Sequence, residues 1–323
     1  MASPNAIFTE LVSTTFRNHK KETVDNVSKN NALLRQLMNK GNMIEEDGGL
    51  TLTYPIEYAE NGTYQRYSGY DLLDISASDV ISAVEFPWRQ IALNVVASGQ
   101  ELRINSGKAK LINLVKTRVK NAMKTFKNNF SVDVYSDGSL PNQINGLQAL
   151  VSDTGTGIVG GINSTNFPFW KNVVQSAATP LGGGAAIIPS STTIESLMLP
   201  LWMQLTRGDD KPDLIVASND YFQMYETSQV AMKRYTSSEE AQGGFMTLAY
   251  KSANVIFDGG SGIPNSHMYF LNTDYIKLVV HKDANLTELE DARPINQDAT
   301  VIPILWMGNL VETNRSLQGV LKA

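Results

Sequence analysis

The sequence predicts an α+β fold in which a polar N-terminal arm, an extended hairpin and one long basic helix precede a mixed α/β domain. Three patterns carry that expectation. Apolar and polar residues alternate strictly from Leu50 to Tyr58, apolar residues recur every three or four positions from Leu111 to Phe130, and short apolar runs alternate with Gly- and Ser-rich turns beyond Asp137-Gly138.

From Asn5 to Lys40 the chain is polar, with apolar residues at Ile7, Leu11, Val12, Phe16, Val24, Val27, Leu33, Leu34, Leu37 and Met38. These spacings suit short amphipathic helices, with starts at Ser3-Pro4 and Thr23 and a stop at Gly41. The segment carries too little apolar surface for a core of its own, so it is expected to lie on another surface and to be ordered only there. Leu50, Leu52, Tyr54, Ile56 and Tyr58 then share one face of a strand, and Pro55 places that strand at an edge. Glu60-Asn61-Gly62 supplies a turn, a Tyr-rich polar stretch follows, and a second β-rich run extends from Val80 to Val96. Two strands flanking a long tip make a projecting hairpin, which needs a surface to rest on.

The helical stripe Leu111, Val115, Val119, Ala122, Phe126 and Phe130 marks the longest helix, with Lys116, Lys120, Lys124 and Lys127 on its other side. Between Leu102 and Val132 stand eight basic residues and no acidic one, whereas between Glu45 and Glu85 nine acidic residues face one basic residue, Arg66. Further on, Thr192 and Glu195 announce a helix to Arg207 with Ile194, Leu197, Met198, Leu201, Trp202 and Leu205 inside and Pro200 as a kink. A buried strand at Leu214 to Ala217, a helix from Ser218 or Asn219, and strands at Met268 to Leu271, Tyr275 to His281 and Val301 to Met307 complete the chain.

Composition narrows the function classes. Only 18% of the 323 residues are charged, against about 25% in an ordinary soluble domain, which suits a surface largely buried against partners. The net charge of -5 gives no global nucleic-acid signature, and the absence of cysteine excludes disulfides, thiol catalysis and zinc sites with Cys ligands. No basic leader or long apolar run is present, so a soluble, unexported protein without membrane contact is expected.

Catalytic and cofactor motifs are weak. Gly155-Thr156-Gly157-Ile158-Val159-Gly160 matches a dinucleotide fingerprint, but the polar residues and Pro168 that follow do not suit the helix on which a pyrophosphate would sit. Gly182-Gly183-Gly184 is followed by no phosphate-binding Lys. His19, His267 and His281 are too scattered for a local metal motif, and Asp209-Asp210 and Glu239-Glu240 read as solvated surface. The expectation is no catalytic residue, no cofactor and no metal, with a nucleotide-binding enzyme using the Gly155 loop as a remote alternative.

Three segments resemble one branch of a known family more directly. They are Gly146-Leu147-Gln148-Ala149-Leu150-Val151 leading to Asp153-Thr154-Gly155-Thr156-Gly157 and Phe167-Pro168-Phe169-Trp170; Pro212-Asp213-Leu214-Ile215-Val216 leading to Asn219-Asp220-Tyr221-Phe222; and Met307-Gly308-Asn309-Leu310-Val311 leading to Asn314-Arg315-Ser316-Leu317-Gln318-Gly319-Val320-Leu321. With the order of elements, they resemble the major capsid proteins of tailed bacteriophages with the Hong Kong 97-like fold. The resemblance implies an N-arm at 1–47, an E-loop at 48–97, a P-domain spine helix at 98–136, an A-domain at 137–267, P-domain return strands at 268–300 and a terminal strand at 301–323.

It also implies self-assembly into pentamers and hexamers of an icosahedral virion shell, built in the host bacterial cytoplasm around double-stranded DNA. A portal, a separate scaffolding protein and a cement protein are the further partners it suggests. No Lys lies between Gly48 and Ser98, so covalent welding through an E-loop lysine is not expected. The acidic loop residues Glu57, Glu60, Asp71 and Asp74, together with Arg66, and the helix lysines Lys116, Lys120, Lys124 and Lys127 are the candidate inter-subunit residues. The same lysines could instead meet DNA phosphates or solvent. An encapsulin-like compartment shell is the alternative function with the same fold.

Overall fold

The computed structural model describes residues 31–104, 108–229, 248–258, 262–289 and 297–323, with side chains left undescribed at Ala32 and 102–116. The predicted arm up to residue 30, His19, Glu239-Glu240 and the Lys116 side chain lie outside that description.

Two sheets organise the chain. The first contains β1 (Met43–Glu46), β12 (Ile276–His281), β14 (Ala299–Glu312) and β13 (Thr287–Glu288) in that order, with β4 (Arg89–Ser98) also paired to β14. The second runs β7 (Val173–Ser176), β15 (Gly319–Lys322), β11 (His267–Leu271), β8 (Leu214–Ala217), β10 (Ala253–Phe257) and β9 (Leu248–Tyr250). Two small hairpins stand apart, β2 (Thr51–Glu57) with β3 (Ile81–Pro87) and β5 (Ile158–Val159) with β6 (Ile162–Asn163).

The last part of the predicted arm belongs to the body of the molecule, which corrects the arm boundary at residue 47. Helix α1 (Ala32–Asn39) buries Leu33, Leu34 and Leu37 completely in the main core. Asn31 caps it by accepting from the Leu34 amide at 3.1 Å, and Lys40 at its end reaches Asp213 at 3.1 Å and Asp274 at 2.7 Å. Strand β1 pairs in parallel with β12. The apolar stripe of α1 is satisfied inside its own chain, so a truncation to Lys40 removes core rather than a detachable arm.

The second β-rich run is two strands, not one. Pro87 has no amide to extend the ladder, and after Trp88 the chain enters β4, which pairs with β14 from Ser98 to Arg89. The hairpin therefore ends before the expected 97. Helix α2 (Gly99–Ile104) follows, then the spine helix α3 (Lys108–Asp133). Its inner face buries Val119, Met123, Phe126 and Phe130, and Trp306 of β14 meets Phe130 edge-on at 4.9 Å. Arg118 pairs with Glu101 at 2.6 Å, and that hydrogen bond pulls the Glu101 carboxyl down to about 2. A single turn, α4 (Leu147–Leu150), leads into the second layer.

The second sheet is covered on both faces, which is why Leu214 to Ala217 reads as an unbroken apolar run. Leu214 and Val216 join the main core, whereas Ile215 and Ala217 face a second core under α5 (Ile194–Leu205) and α6 (Asn219–Gln229). All six residues expected on the inner face of α5 are buried. The expected capping pair is not used. Thr193 occupies the cap but turns its hydroxyl to the Ile188 carbonyl at 2.7 Å instead of to the helix, and Glu195 accepts from Ser228 at 3.3 Å and from Gln229.

The boundaries expected at 267 and 300 also shift. Strand β11 pairs with β8 and β15, so it stays in the second sheet, and the chain returns to the first only at β12. After β14 it crosses back, and β15 closes the second sheet. Arg315 fills that crossing. Fully buried, it donates to the Leu150 carbonyl (2.7 Å), Ser152 Oγ (2.8 Å), Ser164 Oγ (3.3 Å) and the Trp170 carbonyl (3.3 Å). Among the described residues neither oxygen of the nearby Glu312 finds a hydrogen-bond donor, and burial pushes its carboxyl up to about 8 against the pull of Arg315.

His267 ties the loop before β5 to the second sheet. Its Nε2 lies 3.0 Å from Asp153 and its Nδ1 2.7 Å from the Asn265 carbonyl. Both partners only accept, so satisfying them requires a doubly protonated ring. Burial alone would lower His267, but the Asp153 bond and the Asn265 carbonyl raise it above 6.5, with Lys322 opposing. The same bond holds Asp153 below 3.8.

Two outcomes are expected. Leu37→Ala should destabilise the unassembled subunit by about 2–5 kcal/mol in denaturant unfolding, the usual cost of emptying a packed leucine site. A second series reads the ion pair. The raised His267 contributes fully below 6.5 and is lost as pH rises through its folded value, while the lowered Asp153 contributes above 3.8 and is lost as pH falls. Asp153→Asn should therefore destabilise most between those values, with a difference that shrinks on the alkaline side; a pH-independent difference would refute the charged pair.

Candidate functional site

The hairpin β2–β3 has a buried base and an open tip. Alternation puts Leu52 and Ile56 of β2 and Val84 and Phe86 of β3 in the main core, while Thr53, Pro55, Glu57, Ser82, Ala83 and Glu85 are exposed. Seven residue pairs, from Thr51↔Pro87 to Glu57↔Ile81, form the ladder. Its root is fixed twice. The Trp88 indole donates to the Gly49 carbonyl at 3.0 Å, and Asn309 of β14 donates to the Pro87 carbonyl at 2.8 Å.

Beyond the ladder the chain forms no regular strand from residue 61 to 80. Side chains satisfy its turns locally: Asn61 accepts from the Thr63 amide (3.0 Å), Asp71 from Ser68 (2.8 Å) and Asp74 from Ser76 (2.9 Å). The Ser76 bonds keep the Asp74 carboxyl below its ordinary value, so it stays charged. Between these turns Tyr64, Tyr67, Tyr70, Leu72, Leu73 and Ile75 are all exposed, with Tyr70, Leu72 and Ile75 more than nine-tenths open to solvent. An isolated exposed Leu is ordinary; six large apolar side chains within twelve residues of one tip form a surface that water solvates poorly.

The candidate charged residues separate into two regions. Glu57 ends β2, and Glu60, Arg66, Asp71 and Asp74 are exposed on the tip. Lys120 and Lys124 are exposed and Lys127 half-buried on the solvent side of α3, and among the described residues no ion pair joins the two sets within one chain. Charge reasoning missed the apolar part of the tip. Leu72-Leu73 and Ile75 carry the signal, apolar residues inside a stretch otherwise full of turn chemistry.

The Gly155 motif forms no phosphate cradle. It leads into the β5–β6 hairpin, not a helix, with Gly160 and Gly161 at positive φ (58° and 77°) in the two-residue turn, so the nucleotide-enzyme alternative loses its structural context. This small hairpin touches the large one. The Glu85 amide donates to the Gly160 carbonyl at 3.0 Å, and Tyr58 meets Phe169 at 5.8 Å between ring centroids.

No protein-family model matches the sequence, and no curated protein matches it. Solved structures do. The capsid asymmetric unit of cyanophage A-1(L) superposes with a TM-score of 0.61 at 16% identity, covering 87% of this chain and 90% of that one. The capsid of the myovirus phage XM1 gives 0.52 at 11% identity over 89% and 91% of the two chains. An encapsulin complex from Synechococcus elongatus gives 0.55 at 9% identity over 89% and 86%. Matched over about nine-tenths of such subunits, the chain has the Hong Kong 97-like α+β fold of tailed-phage capsid proteins.

Proposed function

We propose that the chain is the major capsid protein of a tailed phage, a non-enzymatic subunit that closes with copies of itself into an icosahedral virion head around double-stranded DNA. The carrying observation is the hairpin, whose base is anchored in its own subunit while six large apolar side chains at its tip stay exposed among the described residues. A second copy of the chain supplies that surface most economically, because one repeated contact then propagates around a closed shell. The likeness to capsid subunits over nearly the full length supports this reading. Pentamers and hexamers, a portal, a scaffolding protein, a cement protein and assembly in the bacterial cytoplasm belong to the same proposal.

Electron microscopy of the expressed protein tests it. Closed shells or flat hexagonal sheets are expected; a monodisperse small oligomer at high concentration would overturn it. The encapsulin likeness favours a second reading, a compartment shell enclosing a protein cargo. Particles from the native source separate the two, since a phage head protects long DNA from nuclease and a compartment holds an enzyme instead.

The exposed lysines give a further expectation. If acidic tip residues such as Asp71 and Asp74 steer docking onto the spine helix of the next subunit, Lys120→Gln with Lys124→Gln should slow empty-shell assembly, most visibly at low salt. Normal assembly with impaired packaging would place these lysines on DNA, and no change in either would leave them as solvated surface.

A further inference from the structure

The contact between the two hairpins is tighter than packing of a loop against a strand requires. A Cβ added to Gly160 would lie 3.0 Å from Val84 Cβ and 3.1 and 3.3 Å from two Phe86 ring atoms. Gly160 also sits at φ +58°, where side chains are disfavoured. The Glu85 amide points out of the β2–β3 ladder to the Gly160 carbonyl, so the large hairpin is hydrogen-bonded to the turn as well as packed on it.

The turn is in turn held from below. The Trp170 indole donates to the Val159 carbonyl at 3.0 Å, and the Ser164 amide and hydroxyl both donate to the Gly157 carbonyl at 3.0 Å. Ser164 and Trp170 are two of the groups that Arg315 binds. A continuous set of hydrogen bonds thus runs from the crossing between the sheets, through Arg315, to the turn that touches Val84, Glu85 and Phe86.

We propose that the Gly160-Gly161 turn is a positioning element for assembly, a cradle that sets the direction of the large hairpin before it meets its neighbour, with Arg315 as the cradle's anchor. This rests on the shell-subunit reading. A ribbon attached only at its root at Gly49 and Pro87 would sweep its tip through a wide arc, because a small rotation at the root moves the far end most. The cradle grips β3 midway along the ladder and removes that freedom, lowering the ordering cost that docking must otherwise meet.

The test begins with the unassembled parent protein. Hydrogen exchange at the Glu85 amide reports the cradle alone, since that amide lies outside the ladder. Protection there, against fast exchange at the tip amides of Tyr67 and Tyr70, is expected; exchange as fast as at the tip would overturn the proposal whether or not shells form. Gly160→Ala should then abolish Glu85 protection and shell formation while the amides of Val216 and Tyr269 in the second sheet stay protected. Gly161→Ala, at positive φ in the same turn but with no atom within 4 Å of the added Cβ, should leave both intact. Shells at the parent yield from Gly160→Ala despite lost Glu85 protection would refute the positioning role. Loss of sheet protection together with Glu85 in Gly160→Ala would show the turn to be only a structural part of the core, and loss of shells from Gly161→Ala would show that any strain in the turn suffices, without contact with the large hairpin. Failure of the parent itself to assemble would count against the shell reading and leave the amide result to decide the cradle.

Discussion

A two-stranded ribbon of seven residues per strand cannot stabilise itself in water, because one face of each strand must be buried and the ladder alone does not offset the ordering of the chain. This chain meets that constraint on one side only. Leu52, Ile56, Val84 and Phe86 are absorbed into the main core, Trp88 and Asn309 pin the root, and the Gly160 turn supports β3. Among the described residues the tip receives no such support and keeps its apolar residues exposed. Under the shell-subunit reading, the fold builds half of an interface and leaves the other half to another surface.

The rest of the architecture holds that half steady. Strand β14 pairs along ten residues with β4, which continues directly from the hairpin, so any load on the hairpin passes into the first sheet. Trp306 locks the same strand to Phe126 and Phe130 of the spine helix. The chain then crosses to β15 through Arg315, whose donors reach Leu150, Ser152, Ser164 and Trp170. Truncating such a buried cation would leave several acceptors unpaired at once, so the crossing is a rigid joint rather than a hinge.

Local pattern was enough to place most elements and not enough to place their partners. Alternation from Leu52 to Ile56, the stripe Val119, Phe126 and Phe130, and the apolar run Leu214 to Ala217 all correspond to observed elements. The stripe of Leu33, Leu34 and Leu37 was equally visible, but an amphipathic helix reads the same whether its face docks on its own chain or on another. For the same reason β11 and β12, both short apolar strands near the end, gave no sign that they join different sheets. Arg315 was hidden for another reason: a single Arg near a terminus reads as surface, and only long-range packing makes it a buried anchor. At the tip, attention to charge concealed Leu72, Leu73 and Ile75, whose exposure becomes informative only once the hairpin is seen to project.

Under the shell-subunit reading, the open tip is an unfinished contact completed by a second copy. Hydroxyl-radical footprinting of the full chain, before and after shell assembly, reads it residue by residue. The account predicts that Tyr64, Tyr67 and Tyr70, exposed in the single subunit, lose most of their labelling in assembled particles while exposed residues elsewhere, such as Met203 on the outside of α5, serve as an independent reference for the same particles. Equal labelling of the three tyrosines in subunit and particle would contradict it.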